Sequence, residues 1–203
     1  MSRKQIFYIA FFSVLVIGFI GTLSFVVPDF FQSKFPPISE VGKFSFINED
    51  GKTVTEKDIK GKVVVANYFF TTCKSICPRM AANLKPVYDE FRNEKDFLML
   101  SHTCDPERDS VPVLRQYADS VGVHDDKWQF LTGSKDSLYA MARHSYKIDD
   151  PNNFVQSVDD DFLHTQFIAL VNKKGEVTNI YDGIKPSEMK EMMAKIKKLL
   201  KEE

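Results

Sequence analysis

A continuous apolar run that leads directly into two cysteines constrains this chain more than any other feature. The run "VVVANYFF" spans residues 63–70, and Cys73, Cys77 and Pro78 follow it. β-Branched and aromatic residues without polar alternation predict a central strand that is buried on both faces. Pro78 favours the first turn of a helix. Because ligand chemistry in α/β sheets gathers beyond the carboxyl ends of the strands, the two thiols mark the predicted functional edge.

The rest of the chain alternates between strand and helix patterns. A buried strand is predicted at 96–104 and a short strand at 128–133, each followed by a helical pattern. Turns containing glycine predict hairpins around Asp50-Gly51 and within 165–183. An amphipathic helix closes the chain. This order predicts an α/β fold with an N-terminal hairpin and a mixed central sheet flanked by helices, parallel in its middle and antiparallel at one edge.

Helix boundaries are predicted from capping residues and prolines. Asp105 suits an N-cap with Pro106 at the first helical position, and Gly122 suits the end of that helix. Ser134 or its neighbour is the predicted cap of the next helix. Pro86 is predicted to kink or shorten the helix that begins after the cysteines.

The N-terminal segment determines the predicted location of the protein. From Gln5 to Val27 the sequence carries no charge, and at about 1.5 Å per residue it can cross a hydrocarbon core of about 30 Å. Arg3 and Lys4 precede it, which predicts a cytoplasmic N-terminus at 1–4, an anchor at 5–27 and an extracytoplasmic remainder, on the periplasmic side in a bacterium. A cleaved signal peptide is the alternative, but the run is long and no A-x-A-like site follows.

Composition limits the remaining options. Residues 28–40 interleave Pro, Ser and Lys with aromatics and read as a tether, and 41–203 as one domain with room for one sizeable core. The formal net charge of −1 gives no electrostatic footprint for nucleic acid. All three cysteines lie beyond the anchor, where disulfides can persist, and their odd number leaves one thiol over if two pair.

The spacing of the two thiols leaves two kinds of chemistry open. A helix N-terminus stabilises a thiolate, and Lys74 and Arg79 add positive charge in the same sense. Three cysteines cannot hold a four-thiolate cluster, and the paired knuckles of a structural zinc site are absent from the sequence. A structural disulfide between Cys73 and Cys77 would close a very short loop and stabilise little. Copper binding or dithiol redox chemistry remains.

A third ligand for a soft metal ion would come from the four histidines. His164 immediately precedes a buried strand that is predicted to return beside the first, so we prefer it to His102, His124 and His144. Sequence periodicity alone does not select among the four.

Several motifs together resemble one family. They are the strand that runs into the cysteines, "YFFTTCKSICPRM", then "DPERDSVPVLRQYA", "WQFLTG" and "FLHTQFIALVNKKGEV". From about residue 41 to its end the sequence resembles the Sco/SenC family of membrane-anchored, thioredoxin-fold copper proteins that take part in assembling cytochrome c oxidase. The combination is far more specific than a C-x-x-x-C pair alone.

The resemblance implies a thioredoxin-like fold and a set of site residues. It implies that Cys73, Cys77 and His164 bind one copper ion per chain, as Cu(I) or Cu(II), and that the cysteines cycle between dithiol and disulfide. The family's acidic motif corresponds to Asp105 and Asp109, of which Asp105 is a candidate modulator of the site. Cys104 occupies a position that is usually apolar in the family. We interpret it as a buried apolar residue, with a resolving thiol or accessory ligand as the alternative.

Two functions follow as hypotheses. The first is a metallochaperone that takes copper from a donor protein and delivers it to a cytochrome c oxidase subunit with a copper site. The second is an extracytoplasmic thiol–disulfide oxidoreductase that keeps partner cysteines reduced, in which Cys73 attacks and Cys77 resolves. The methionines of the C-terminal helix recur at helical spacing, which indicates core packing rather than copper-binding thioethers.

Overall fold

The computed structural model describes residues 2–26, 36–149 and 166–202. The chain divides into two compact units, Met1–Pro36 and Pro37–Glu203. In the first unit, helix α1 (Arg3–Val26) contains the apolar run, and by length and composition its Arg3–Thr22 portion is sufficient to cross a membrane. The sequence prediction of one apolar N-terminal helix is therefore confirmed.

The second unit contains a single mixed sheet. In the described residues it has eight strands in the order β1-β8-β7-β4-β5-β6-β2-β3. The strands are β1 (Ser39–Glu40), β2 (Ser45–Asn48), β3 (Thr53–Thr55), β4 (Val63–Phe69), β5 (Phe97–Thr103), β6 (Trp128–Thr132), β7 (Phe167–Val171) and β8 (Glu176–Asp182).

The strand directions confirm the predicted parallel centre of the sheet and correct the predicted number of antiparallel edges. β4 pairs in parallel with β5, and β5 with β6. β7 and β8 are antiparallel to their neighbours, and β2 of the N-terminal hairpin also pairs antiparallel with β6. Both edges are therefore antiparallel, whereas the sequence predicted one, because strand order along the chain does not show where the hairpin docks. Residues 39–40, placed in the tether by the sequence, pair with β8.

Helices cover both faces of the sheet. They are α2 (Glu56–Ile59), α3 (Ile76–Phe91), α4 (Val111–Ser120), α5 (Lys135–Ala140), which continues into a π-helical turn (Met141–Ser145), and α6 (Pro186–Leu199). Ser134 caps α5 through its hydroxyl, as predicted. Gly122 follows α4 with φ +72°, a conformation that favours glycine.

One helix prediction is wrong, and of the kink or shortening predicted at Pro86 the structure excludes the shortening. Asp105 is not an N-cap: α4 begins at Val111, and Asp105 instead opens a turn in which its carbonyl accepts from the Asp109 N–H at 2.9 Å. Helix α3 runs on through Pro86 to Phe91 and is not shortened. Pro86 is solvent-exposed, so water can satisfy the carbonyl that lacks its helical partner.

The core lies in two layers on either side of the sheet. Alternate residues of β4 face each layer, and every residue of this strand is buried, as the sequence predicted. Helices α3, α4 and α6 pack on one face, and the hairpin, α5 and the π-helical turn pack on the other. Met189 and Met192 are buried in the first layer, in agreement with core packing.

Candidate metal centre

Cys73 and Cys77 lie together where β4 gives way to α3. The Cys73 N–H donates to the Phe70 carbonyl at 3.1 Å, which turns the chain sharply after the strand. Cys77, in the first turn of α3, donates its backbone N–H to the Cys73 Sγ at 3.4 Å. Cys73 is half-buried and Cys77 is buried, and the structure has no disulfide bond between them. The structure therefore brings the two predicted thiols together at the carboxyl end of β4.

The sulfur of Cys73 caps helix α3. Ser75 occupies the N-cap position, yet its hydroxyl makes no capping hydrogen bond to the helix. The first backbone N–H groups of a helix lack helical partners, and the Cys73 sulfur accepts one of them. A sulfur held against the positive end of a helix is stabilised as a thiolate.

The two thiols differ in acidity. Burial raises the pKa of Cys73, but hydrogen bonds from the Cys77 side chain and from the Ser75 and Cys77 backbone outweigh it, so that its pKa lies below the ordinary thiol value. Burial raises the pKa of Cys77 to about 12, and its hydrogen bond to Cys73 acts in the same direction. The half-buried Cys73 sulfur is thus the better nucleophile of the pair, and the buried Cys77 sulfur holds its proton.

We expect iodoacetamide to alkylate Cys73 first and Cys77 much more slowly. The Cys73 rate should rise with pH and reach half its maximum below the pKa of an ordinary thiol, because only the thiolate reacts. Quenched aliquots mapped by peptide mass spectrometry would measure both rates. Equal rates at the two cysteines would contradict the difference in burial and acidity.

Asp109 holds the loop that precedes the cysteines. Its carboxylate accepts the Thr71 backbone N–H at 3.2 Å and the hydroxyls of Thr71 and Thr103. It is almost completely buried. The carboxylate therefore ties the loop after β4 to the end of β5 and fixes the path of the chain into Cys73.

Asp105 and Cys104 lie at the end of the neighbouring strand. Asp105 is mostly buried, and its Oδ2 has no hydrogen bond within the described residues, with the Arg108 Nη1 at 3.7 Å. The Cys104 N–H donates to the Phe69 carbonyl at 2.8 Å. The Cys104 side chain is buried in the layer opposite to Cys77. Burial raises the pKa of Cys104, with the charges of Cys77 and Asp109 acting in the same direction.

The described histidines lie away from the thiol pair. His102 is fully buried between aromatic rings, with its Nε2 at 3.2 Å from the Tyr146 hydroxyl, and burial lowers its pKa to about 3. His124 is exposed beside Asp119, and His144 lies on the π-helical turn. Within the described ranges, no group of three or more His, Cys, Asp or Glu side chains could hold a metal ion.

The preferred third ligand, His164, lies outside the described residues. Strand β7 begins at Phe167 and runs antiparallel to β4, with Ala66 opposite Ala169. The start of β7 thus lies beside the carboxyl end of β4, the end that Cys73 follows. The choice of His164 stays a prediction.

Composition and residue spacing did not identify two residues that lie at this centre. Asp109 entered the sequence analysis only through the family's acidic motif, because nothing local distinguishes a buried carboxylate from a surface one. Tyr117 lines the cavity beside Cys73 and packs on Phe69 at 4.7 Å between ring centroids. The sequence analysis did not single it out, because the cavity forms only when α4 packs beside the residues of α3.

Fold and site together define a thioredoxin-like protein with a dithiol at a strand–helix junction. Residues 34–201 match the model of the SCO1/SenC family. The chain belongs to the SCO1/SenC family. The SCO1 protein homolog of Bacillus subtilis is 31% identical over 170 residues, which cover 82% of this chain and 86% of that protein. The mitochondrial SCO1 homolog 1 of Arabidopsis thaliana is 30% identical, and the match spans 45% of its length.

Solved structures show the same fold. BsSco, described as a member of the Sco family of cytochrome c oxidase assembly proteins, superposes with a TM-score of 0.71 at 30% identity, covering 85% of this chain and 100% of that one. Arabidopsis thaliana ScoI with copper bound gives a TM-score of 0.63 at 27% identity, covering 79% and 99%. The thioredoxin-like fold predicted from the resemblance is confirmed.

Proposed function

We propose that the protein is a membrane-anchored copper chaperone that binds one copper ion through Cys73, Cys77 and His164 and delivers it during assembly of cytochrome c oxidase. The observation that carries the proposal is the meeting of two thiols at the edge where β7 also begins. The copper-bound structure of a related Sco protein supports the choice of metal.

The residues present suit copper as a cargo. Two thiolates form a soft donor set, which favours Cu(I), and an imidazole extends the set to Cu(II). The half-buried Cys73 gives a partner's ligands access to the ion, whereas the buried Cys77 retains it. Because the pKa of Cys77 is about 12, copper must displace its proton, so binding should release protons and strengthen as pH rises.

Replacement of His164 with alanine tests the third ligand and separates the two candidate functions. In a copper titration of residues 28–203, the wild type should bind one copper ion per chain in either oxidation state. His164→Ala should lose Cu(II) affinity by more than about 100-fold, because a direct ligand matters more than the neighbours that tune it, yet keep Cu(I) on the thiolates. Visible absorption before and after oxidation would follow both states. Unchanged Cu(II) binding in the variant would remove His164 from the site.

The difference between the thiols favours thiol–disulfide exchange as a second candidate. An exposed sulfur at a helix N-terminus can attack a partner disulfide, and the adjacent buried sulfur can resolve the mixed disulfide. The two roles are compatible, since an oxidase thiol pair must be reduced before it accepts copper. His164→Ala should leave dithiol exchange largely intact, which distinguishes the two functions.

The remaining assignments belong to the same proposal. Residues 1–4 would be cytoplasmic, 5–27 an uncleaved anchor, 28–40 a tether and 41–203 the copper-binding domain on the extracytoplasmic side. Helix α1 supports the anchor. The partners would be a copper donor protein and an oxidase subunit with a copper site. Asp105 and Cys104 remain candidate modulators, with the Cys104 thiol buried in the opposite layer.

A further inference from the structure

A groove of about 430 Å³ opens beside Cys73, between α3 and the end of α4. Cys73 lines it, and the buried Cys77 does not. Its walls are largely apolar, and the residues that line them include Cys73, Ala81, Ala82, Lys85, Tyr117 and Val121. The reactive sulfur thus lies at one end of a cavity that the thiol chemistry itself does not require.

The dimensions of the groove suit a short extended segment of protein. From Pro78 to Lys85, the first and last residues of α3 that line the groove, the helix rises about 10 Å at 1.5 Å per residue. An extended chain of about 3.3 Å per residue covers this distance with about three residues. The two alanines leave room on the floor for an apolar side chain, which Tyr117 would contact on the α4 side.

Two exposed basic side chains lie beside the thiols, next to the groove but not among the residues that line it. Lys85 lines it and pairs with Asp89 at 2.5 Å. Lys74 and Arg79, beside the thiols, are exposed and form no ion pair within the part of the chain that the structure describes. The whole chain carries a net charge of −1, so this positive edge is a local feature. It would attract a segment that carries Asp or Glu.

We propose that this groove docks an extended, acidic segment of a partner protein that carries a cysteine, so that the partner's sulfur meets Cys73. The proposal rests on the proposed function, in which Cys73 must meet ligands or disulfides of another protein. In an exchange step, the Cys73 thiolate attacks the partner's sulfur in a disulfide and forms a mixed disulfide, and the other sulfur leaves as a thiolate. Cys77 gives its proton to that leaving thiolate, and its own sulfur then attacks the Cys73 sulfur and releases the partner's other sulfur as a thiolate. The partner disulfide is thereby reduced, and the protein dithiol is oxidised.

Two matched peptide probes test the preference for acidic segments. Each has a cysteine, a leucine and three charged residues, all Glu in one peptide and all Lys in the other, and each cysteine is held as a disulfide with thionitrobenzoate. The full chain is used in uncharged detergent with Cys77→Ser, which stops the reaction at the mixed disulfide. Release of coloured thionitrobenzoate measures the rate. The acidic probe should react about tenfold faster at low ionic strength, and the difference should shrink as salt is added.

Three variants locate the preference. Lys74→Glu with Arg79→Glu should reverse the order of the two peptides. Lys174→Glu, in the turn after β7 at the opposite end of the sheet, is the matched control and should change neither rate by more than about twofold, since screening separates it from the thiols. Ala82→Phe should slow both peptides by at least about tenfold through a steric clash, yet leave reaction with the small symmetric disulfide of thionitrobenzoate unchanged.

Equal rates for the two peptides, or peptide rates that Ala82→Phe leaves unchanged, would overturn the groove proposal. Copper stoichiometry, measured separately on the chain with both cysteines, decides the proposed function. If the chain binds one copper ion but reacts equally with the two peptides, only the groove proposal is contradicted. If it distinguishes the peptides but binds no copper, only the chaperone proposal is contradicted.

Discussion

Replacing either Cys73 or Cys77 with alanine should abolish copper binding. Each substitution removes one of two adjacent thiolates, and one thiol with an imidazole is a much poorer set for Cu(I). We expect the affinity to fall by more than about 100-fold, because loss of a mere neighbour of a metal ligand already costs about 10–100-fold. Copper titration of residues 28–203 under reducing conditions, followed by gel filtration and metal analysis, would measure the bound ion.

Cys104→Ala is the matched control for this experiment. It also removes one buried thiol, but that side chain packs in the layer opposite to Cys77. It should keep one copper ion per chain. Unchanged stoichiometry in Cys73→Ala or Cys77→Ala would end the chaperone proposal, whereas loss of copper in Cys104→Ala would make the third thiol part of the site. Thermal unfolding of each variant checks that the domain is intact.

The central elements of the fold could be predicted because their sequence patterns are local. The run in β4 has no polar alternation, and the structure buries all of its residues between the two core layers. Gly175, at φ +85°, marks the turn between β7 and β8. The docking of the hairpin on β6 could not be predicted, since Asn48 meets Leu131 across a long sequence separation and no local signal encodes that pairing.

The wrong N-cap has a physical cause in a long-range contact. Asp105 and Pro106 form a favourable local start for a helix. Asp109 instead turns inward to the hydroxyls of Thr71 and Thr103, which holds the segment as a turn and delays α4 until Val111. The interaction that displaces the helix start also positions the loop before Cys73. The N-cap prediction therefore failed at a residue that helps to build the site.

The thiols could be predicted because cysteine chemistry is carried by residue type and spacing. Their difference in acidity could not, because it depends on the burial of Cys77 and on the hydrogen bond from its backbone to Cys73. The groove beside Cys73 could not be predicted from the sequence either, since Tyr117 and Val121 line it from a distant part of the chain.

Asp109→Ala should lower the free energy of unfolding by about 3 kcal/mol in the reduced, copper-free domain. The substitution leaves the Thr71 N–H and the Thr71 and Thr103 hydroxyls without their acceptor, and each buried polar group without a partner costs about 1–3 kcal/mol. Thr71 is only half-buried, so water can reach it and reduce the loss. Urea unfolding followed by circular dichroism would measure the change.

Two variants separate the role of this carboxylate from a general effect of charge. Asp109→Asn keeps one acceptor oxygen, and its amide can donate to a threonine hydroxyl that turns to accept, so it should lose less than about half as much stability as the alanine variant. Asp126→Ala, at an exposed position, should change stability by less than about 0.5 kcal/mol. Since Asp109 fixes the loop that leads into Cys73, Asp109→Ala should also raise the alkylation rate of Cys77. Stability and thiol reactivity equal to the wild type would show that the carboxylate neither holds the loop nor positions the thiols.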